Sequence, residues 1–174
     1  MSSISVIFSK RFPLMPVNIT SAASVFIFAM AYGLIEHILL ASPIGISVLA
    51  YPLDLHLVGQ IYSYHIVMVV LAILISFNPF FDKLLFRTSR AIRLHGLLWG
   101  TGNILNFIWL EDMFYFVLFG EWPKDVMTPF QTSFYGMVWW YPLFLGSAFF
   151  LYTLAARGTR KMIAEERAKT PPLR

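Results

Sequence analysis

Four apolar stretches, at 21–40, 57–77, 94–118 and 133–157, set the terms on which this chain can fold. A helix rises ~1.5 Å per residue, so about 20 such residues cross the ~30 Å hydrocarbon layer of a bilayer. Only 13% of the residues are charged, against roughly 25% in a soluble domain. The expectation is an all-α integral membrane protein: a four-transmembrane-helix bundle forming a single domain over 1–174. The spans are TM1 21–40, TM2 57–77, TM3 94–118 and TM4 133–157, with an amphipathic cytoplasmic loop at 78–93 and a solvated tail at 158–174. The first stretch follows Lys10 and Arg11 as a signal peptide would. It is too long for one, and its small residues Ala22-Ala23 precede most of it, so it reads as a retained helix.

Basic residues then orient the bundle. Four spans place both termini on one side, with Lys10, Arg11, Lys83, Arg87, Arg90, Arg93, Arg157, Arg160, Lys161, Arg167, Lys169 and Arg174. Lys124 alone falls on the other. By the positive-inside rule both termini are cytoplasmic, in the plasma (cell) membrane. The net charge of +4 therefore belongs to the membrane surface and does not point to nucleic acid. The partners expected are the lipid bilayer and either further copies of the chain or other membrane subunits.

Topology gives depth. Glu36 and His37 fall in the outer third of TM1, His65 roughly 12 Å below the outer end of TM2, and Glu111 and Asp112 about 10 Å below the outer end of TM3. Three helices thus bring acids and histidines to the outer half of the bilayer, where an ionised side chain is costly and normally functional. Adjacent helical residues point about 100° apart. Only one of Glu111 and Asp112 can then face a shared centre, and the same holds for Glu36 and His37. His95, near the cytoplasmic end of TM3 and ~24 Å from Glu111, reads as an interfacial residue. Asn103 and Asn106 read as interhelical hydrogen-bond formers. Gly96 and Gly100 have the spacing that admits a neighbouring helix.

Two chemistries suit this set. In one, His37, His65, Glu36 and Asp112 bind a divalent metal, Zn, Fe, Mn or Cu. With no cysteine in the chain a thiolate ligand is excluded, and no HxxH, HxxxH or HExxH spacing is present. In the other, Glu111, Asp112 or Glu36 acts as a general acid on a lipophilic substrate. The segment Leu110-Glu111-Asp112-Met113-Phe114-Tyr115-Phe116 resembles the acid-pair-then-aromatic motif of the small membrane lycopene cyclases, which protonate a polyene. The likeness covers seven residues, and Trp109-Leu110 stands where that family has a proline. It implies proton donation by the acid pair to an apolar substrate. The alternative to an enzyme is a non-catalytic small subunit or scaffold of a larger membrane complex, or a proton or ion relay.

Overall fold

The computed structural model describes residues 15–41, 52–55, 59–81, 90–120, 133–134 and 137–169. Four helices carry the fold: α1 Met15–Ala41, α2 Ser63–Phe77, α3 Arg90–Val117 and α4 Trp140–Lys169. Two short antiparallel pairs precede α2 and α4. Strand β1, Pro52–Leu55, pairs with β2, Gly59–Tyr62, with Asp54 opposite Gln60. Strand β3, Ser133–Phe134, pairs with β4, Met137–Val138.

Each helix boundary has a local cause. Pro16 lies in the first turn of α1, where its missing N–H costs nothing, so the helix begins six residues before the stretch expected at 21. Helix α2 begins at Ser63 instead of Leu57 because Gly59–Tyr62 is taken up by the β1–β2 ladder. It closes in a 3-10 turn, Asn78–Phe80, carrying Pro79. Residues Arg90–Arg93, expected in the amphipathic loop, form the first turn of α3; the stretch 82–89 lies outside the described residues. At the far end of α3, Gly120 at φ +72° closes the turn that stops the helix, a conformation glycine adopts without a Cβ clash.

Helix α4 departs most from expectation. It starts at Trp140, after the β3–β4 pair, with Pro142 in its first turn. It then runs through the segment expected as a solvated tail, because Lys161, Met162, Ala164, Glu165, Glu166, Arg167 and Ala168 are good helix formers. It ends just ahead of Thr170-Pro171-Pro172, where proline cannot continue it.

Helix α3 is the hub, packing against α1, α2 and α4, and most extensively against α4 and α1. The contacts fix direction. Asn18, Ser21 and Glu36 of α1 meet His95, Asn103 and Glu111 of α3, so these two helices are parallel. His95, Asn103 and Asp112 meet Ala155, Tyr152 and Tyr141, so α4 is antiparallel to α3. Helix α2 is antiparallel to α1, with Tyr64 beside Glu36 and Ser76 at the level of Ser21. Every described lysine and arginine therefore lies at or beyond one end of the bundle: Arg90 and Arg93 on α3, and the basic residues from Arg157 onward on α4.

The core between α1, α2 and α3 consists of Val25, Ala29, Tyr32, Ala72, Phe107, Leu110 and Phe114. Phe28 stacks on Phe107 at 5.3 Å and Phe26 meets Phe114 edge-on at 5.2 Å. Gly33 brings α1 against the backbone of α3: a Cβ there would stand 2.8 Å from the Tyr115 nitrogen and 2.9 Å from the Glu111 carbonyl oxygen. Gly100, expected to admit a helix, receives the Phe77 ring from the end of α2.

Polar groups are turned inward and apolar ones outward. Asn18, Ser21, Glu36, Ser76, His95 and Asn103 are buried, while Ile27, Val67, Leu143 and Phe150 are 54–61% exposed and Phe149 is 72% exposed. Among the described residues one stretch, Val17–Ile38, is both long and apolar enough to cross a membrane, with 22 residues at a mean hydropathy of 1.6. The apolar helix Tyr64–Phe80 is shorter.

Candidate functional site

The close approach at Gly33 places the next turn of α1 against α3 and the start of α2. Glu36, 8% exposed, is the centre of that junction. Its Oε1 accepts a hydrogen bond from the Tyr64 hydroxyl at 2.8 Å and lies 3.3 Å from His65 Nε2. The Tyr64 and His65 rings stack at 4.2 Å, so the first turn of α2 presents both groups to one carboxyl. From α3, Glu111 brings a second carboxyl beside Glu36, close enough for the two to influence one another's ionisation. Two carboxylates so placed repel, so one of the pair keeps its proton. With Tyr64 and His65 both directed at Glu36, the acid that keeps it is most simply Glu111.

Neighbouring residues turn away, as 3.6 residues per turn requires. His37 Nδ1 donates to the Tyr115 carbonyl at 3.1 Å, and its ring lies flat on Phe119 at 3.3 Å. That carbonyl lies in the last turn of α3, where carbonyls outnumber the intrahelical donors. The turn beyond it bonds Leu118 to Phe114, Phe119 to Phe116 and Gly120 to Val117. His37 therefore closes the end of α3. Asp112 faces the opposite side of α3, where the Tyr141 hydroxyl of α4 donates to its Oδ2.

The structure thus unites Glu36, His65 and Glu111 and separates His37 and Asp112 from them. The four residues expected as metal ligands do not converge. Among the described residues no group of three or more His, Cys, Asp and Glu side chains is arranged to hold a metal ion. The acid pair that resembles the cyclase motif is divided between two helix interfaces.

Deeper in the bundle a second polar system runs along α3. The Trp109 indole N–H donates to Asn106 Oδ1 at 2.8 Å, and Asn106 Nδ2 donates to the Tyr152 hydroxyl at 3.1 Å. Tyr152 in turn donates to Asn103 Oδ1 at 2.8 Å. Asn103 Nδ2 then reaches Ser21 Oγ at 2.5 Å and the Ser76 carbonyl at 3.3 Å. His95 is not interfacial, as its neighbour Arg93 suggested. It is 3% exposed, with Nδ1 at 3.1 Å from the Ala155 carbonyl and Nε2 at 3.0 Å from Asn18 Oδ1. Burying an imidazole is tolerable when both ring nitrogens find partners, and α1 and α4 each supply one.

Sequence reasoning missed Tyr32, Gly33 and Tyr64 as parts of the site. The signal lay in their spacing: Tyr32 and Gly33 precede Glu36 by four and three residues and so share its helix face. The burial of His95 was signalled likewise by Trp99, Asn103 and Asn106, which follow it on one stripe of α3. No protein-family model, curated protein or solved structure matches this chain.

Proposed function

We propose that this is a four-span integral membrane protein whose Glu36–Glu111 pair is a buried acid site, donating a proton to a lipid-soluble substrate in the outer half of the bilayer. The membrane reading is supported by the inverted surface, with Phe149 and Phe150 outward and Glu36, His95 and Asn103 inward. It is supported also by the collection of described basic residues at one end, which the positive-inside rule makes cytoplasmic. A reporter fused after Arg174 is expected to read as cytoplasmic and one inserted after Lys124 as external. The opposite pattern, or both on one side, overturns the topology.

The observation that carries the acid reading is the buried Glu36 carboxyl, held by Tyr64 and His65 with the Glu111 carboxyl beside it. Glu111 holds the transferable proton, and Glu36 orients it. When the proton leaves Glu111 for the substrate, two carboxylates face each other and repel, which favours its return. Tyr64 and His65 hold the charge on Glu36, and Glu111 recovers a proton when the substrate-derived cation loses one. Glu111→Gln preserves shape and can still donate to Glu36, but it cannot release a proton. Membranes carrying the wild-type protein are expected to show a lipid product that Glu111→Gln membranes lack, with a rate loss of about 10²–10⁴ for removal of a general acid. Lipid extracts identical between wild type, variant and protein-free membranes would instead favour a structural subunit.

A further inference from the structure

Tyr32 is 4% exposed, and among the described residues its hydroxyl has no hydrogen-bond partner. It lies one turn before Glu36 on the same face of α1, within electrostatic reach of Glu36, Glu111 and Tyr64. The ring is fixed against Phe107 at 5.9 Å. Buried side-chain polar atoms are paired in the large majority of native interiors. Glu36 Oε1 takes Tyr64 and faces His65, and no acceptor among the described residues lies in hydrogen-bond geometry with Tyr32. A donor is thus left over at the acid pair.

We propose that the Tyr32 hydroxyl anchors a neutral oxygen from outside the chain, a hydrogen-bond acceptor held between Tyr32 and the Glu36–Glu111 pair. It is the carbonyl or hydroxyl oxygen of a lipid-soluble molecule, or a buried water. The inference rests on the reading of that pair as the working site, and it specifies what the site holds. An anion is disfavoured beside two carboxyl groups. Val25, Ala29, Phe107 and Phe114 belong to the same buried cluster as Tyr32, so the oxygen's surroundings are otherwise apolar. Ile35, Ile38, Ile66 and Val67 on the adjoining outer faces of α1 and α2 are exposed, so the approach from outside is apolar.

Tyr32→Phe removes the hydroxyl and keeps the ring, so it distinguishes the proposal cleanly. Full-length wild-type and Tyr32→Phe protein would be purified in detergent and extracted with organic solvent for mass spectrometry. Their infrared spectra would be compared in ordinary and 18O-labelled water. An oxygen-bearing lipophile near equimolar in the wild type and about tenfold depleted in the variant, the effect of losing one good hydrogen bond, identifies the lipid-soluble source. If no such molecule is found, a bound-water stretching band that shifts with 18O in the wild type and vanishes in the variant identifies water. If neither signal differs between the two proteins, the proposal is overturned. It is overturned equally if Tyr32→Phe is the more stable protein, because removing a genuinely unpaired buried hydroxyl relieves a penalty. Activity lost in Glu111→Gln with no change in Tyr32→Phe would sink this inference alone. An inert Glu111→Gln with a water band lost in Tyr32→Phe would sink the acid-site reading alone.

Discussion

Gly33→Leu separates α1 from α3 and dismantles the acid pair. A Cβ at this position already meets backbone atoms of Tyr115 and Glu111 and the Phe114 Cβ at 2.8–3.0 Å. Backbone in a regular helix cannot yield as the end of a flexible side chain can, so the helices themselves must part. Overpacking of this kind costs typically 1–3 kcal/mol, and Gly33→Ala is expected at about 1–3 kcal/mol, with the leucine variant beyond it. The functional consequence is larger. Glu36 sits one turn along from Gly33, and His37 reaches the Tyr115 carbonyl across the same gap. Moving α1 outward draws Glu36 away from Glu111 and at the same time breaks the closure of α3. Denaturation in mixed micelles measures the first effect. The infrared band of the protonated carboxylic acid, assigned with 13C-glutamate, measures the second. Gly146 is the control, since among the described residues nothing lies within 4 Å of a Cβ there, and Gly146→Ala is expected to leave both readouts in place. A Gly33→Ala protein indistinguishable from wild type in stability and in the carboxyl band would mean that close approach does not hold the site together.

Gly33 also marks where the sequence was legible and where it was not. Depth follows from counting residues along helices whose direction the basic residues indicate, so the level at which Glu36, His65 and Glu111 meet could be read in advance. Divergence of adjacent residues follows from the helical turn, so it was equally readable that Glu111 and Asp112 would part. Which of them faces α1 depends on the rotation of α3 about its axis, and packing sets that rotation. Gly33, Ala29 and Ala148 allow close crossings, while Phe77 and Tyr152 fill the notches at Gly100 and Gly102. None of this is encoded in periodicity alone. His95 was misread for a related reason. Its neighbour Arg93 implied an interface, whereas its own helical stripe led through Trp99 to Asn103. Helix ends escaped because hydropathy reports where residues are apolar and not where the backbone is helical. The apolar Gly59–Tyr62 pairs as a strand, and the polar end of α4 continues as helix.

The polar interior along α3 is expected to bear a substantial share of bundle stability, and Asn103 is where that share concentrates. It is fully buried and ties three helices to α3: Ser21 from α1, the Ser76 carbonyl from α2 and Tyr152 from α4. Hydrogen bonds within membrane bundles average ~0.6 kcal/mol and reach ~1.7 kcal/mol. Asn103→Leu removes three of them at once and leaves the Tyr152 hydroxyl without its acceptor. A loss of about 2–4 kcal/mol follows, against about 1 kcal/mol for Asn106→Leu, whose partners Tyr152 and Trp109 lie on one side of α3 only. The sharper test is coupling. Tyr152 both donates to Asn103 and accepts from Asn106, so the bonds polarise one another. Tyr152→Phe should then cost much less in the Asn103→Leu background than in the wild type, with an interaction energy of about 0.5–3 kcal/mol by double-mutant cycle. Strict additivity would show that the chain from Trp109 to Ser21 is a row of independent contacts, and that apolar packing alone sets the rotation of α3 that turns Glu111 toward Glu36.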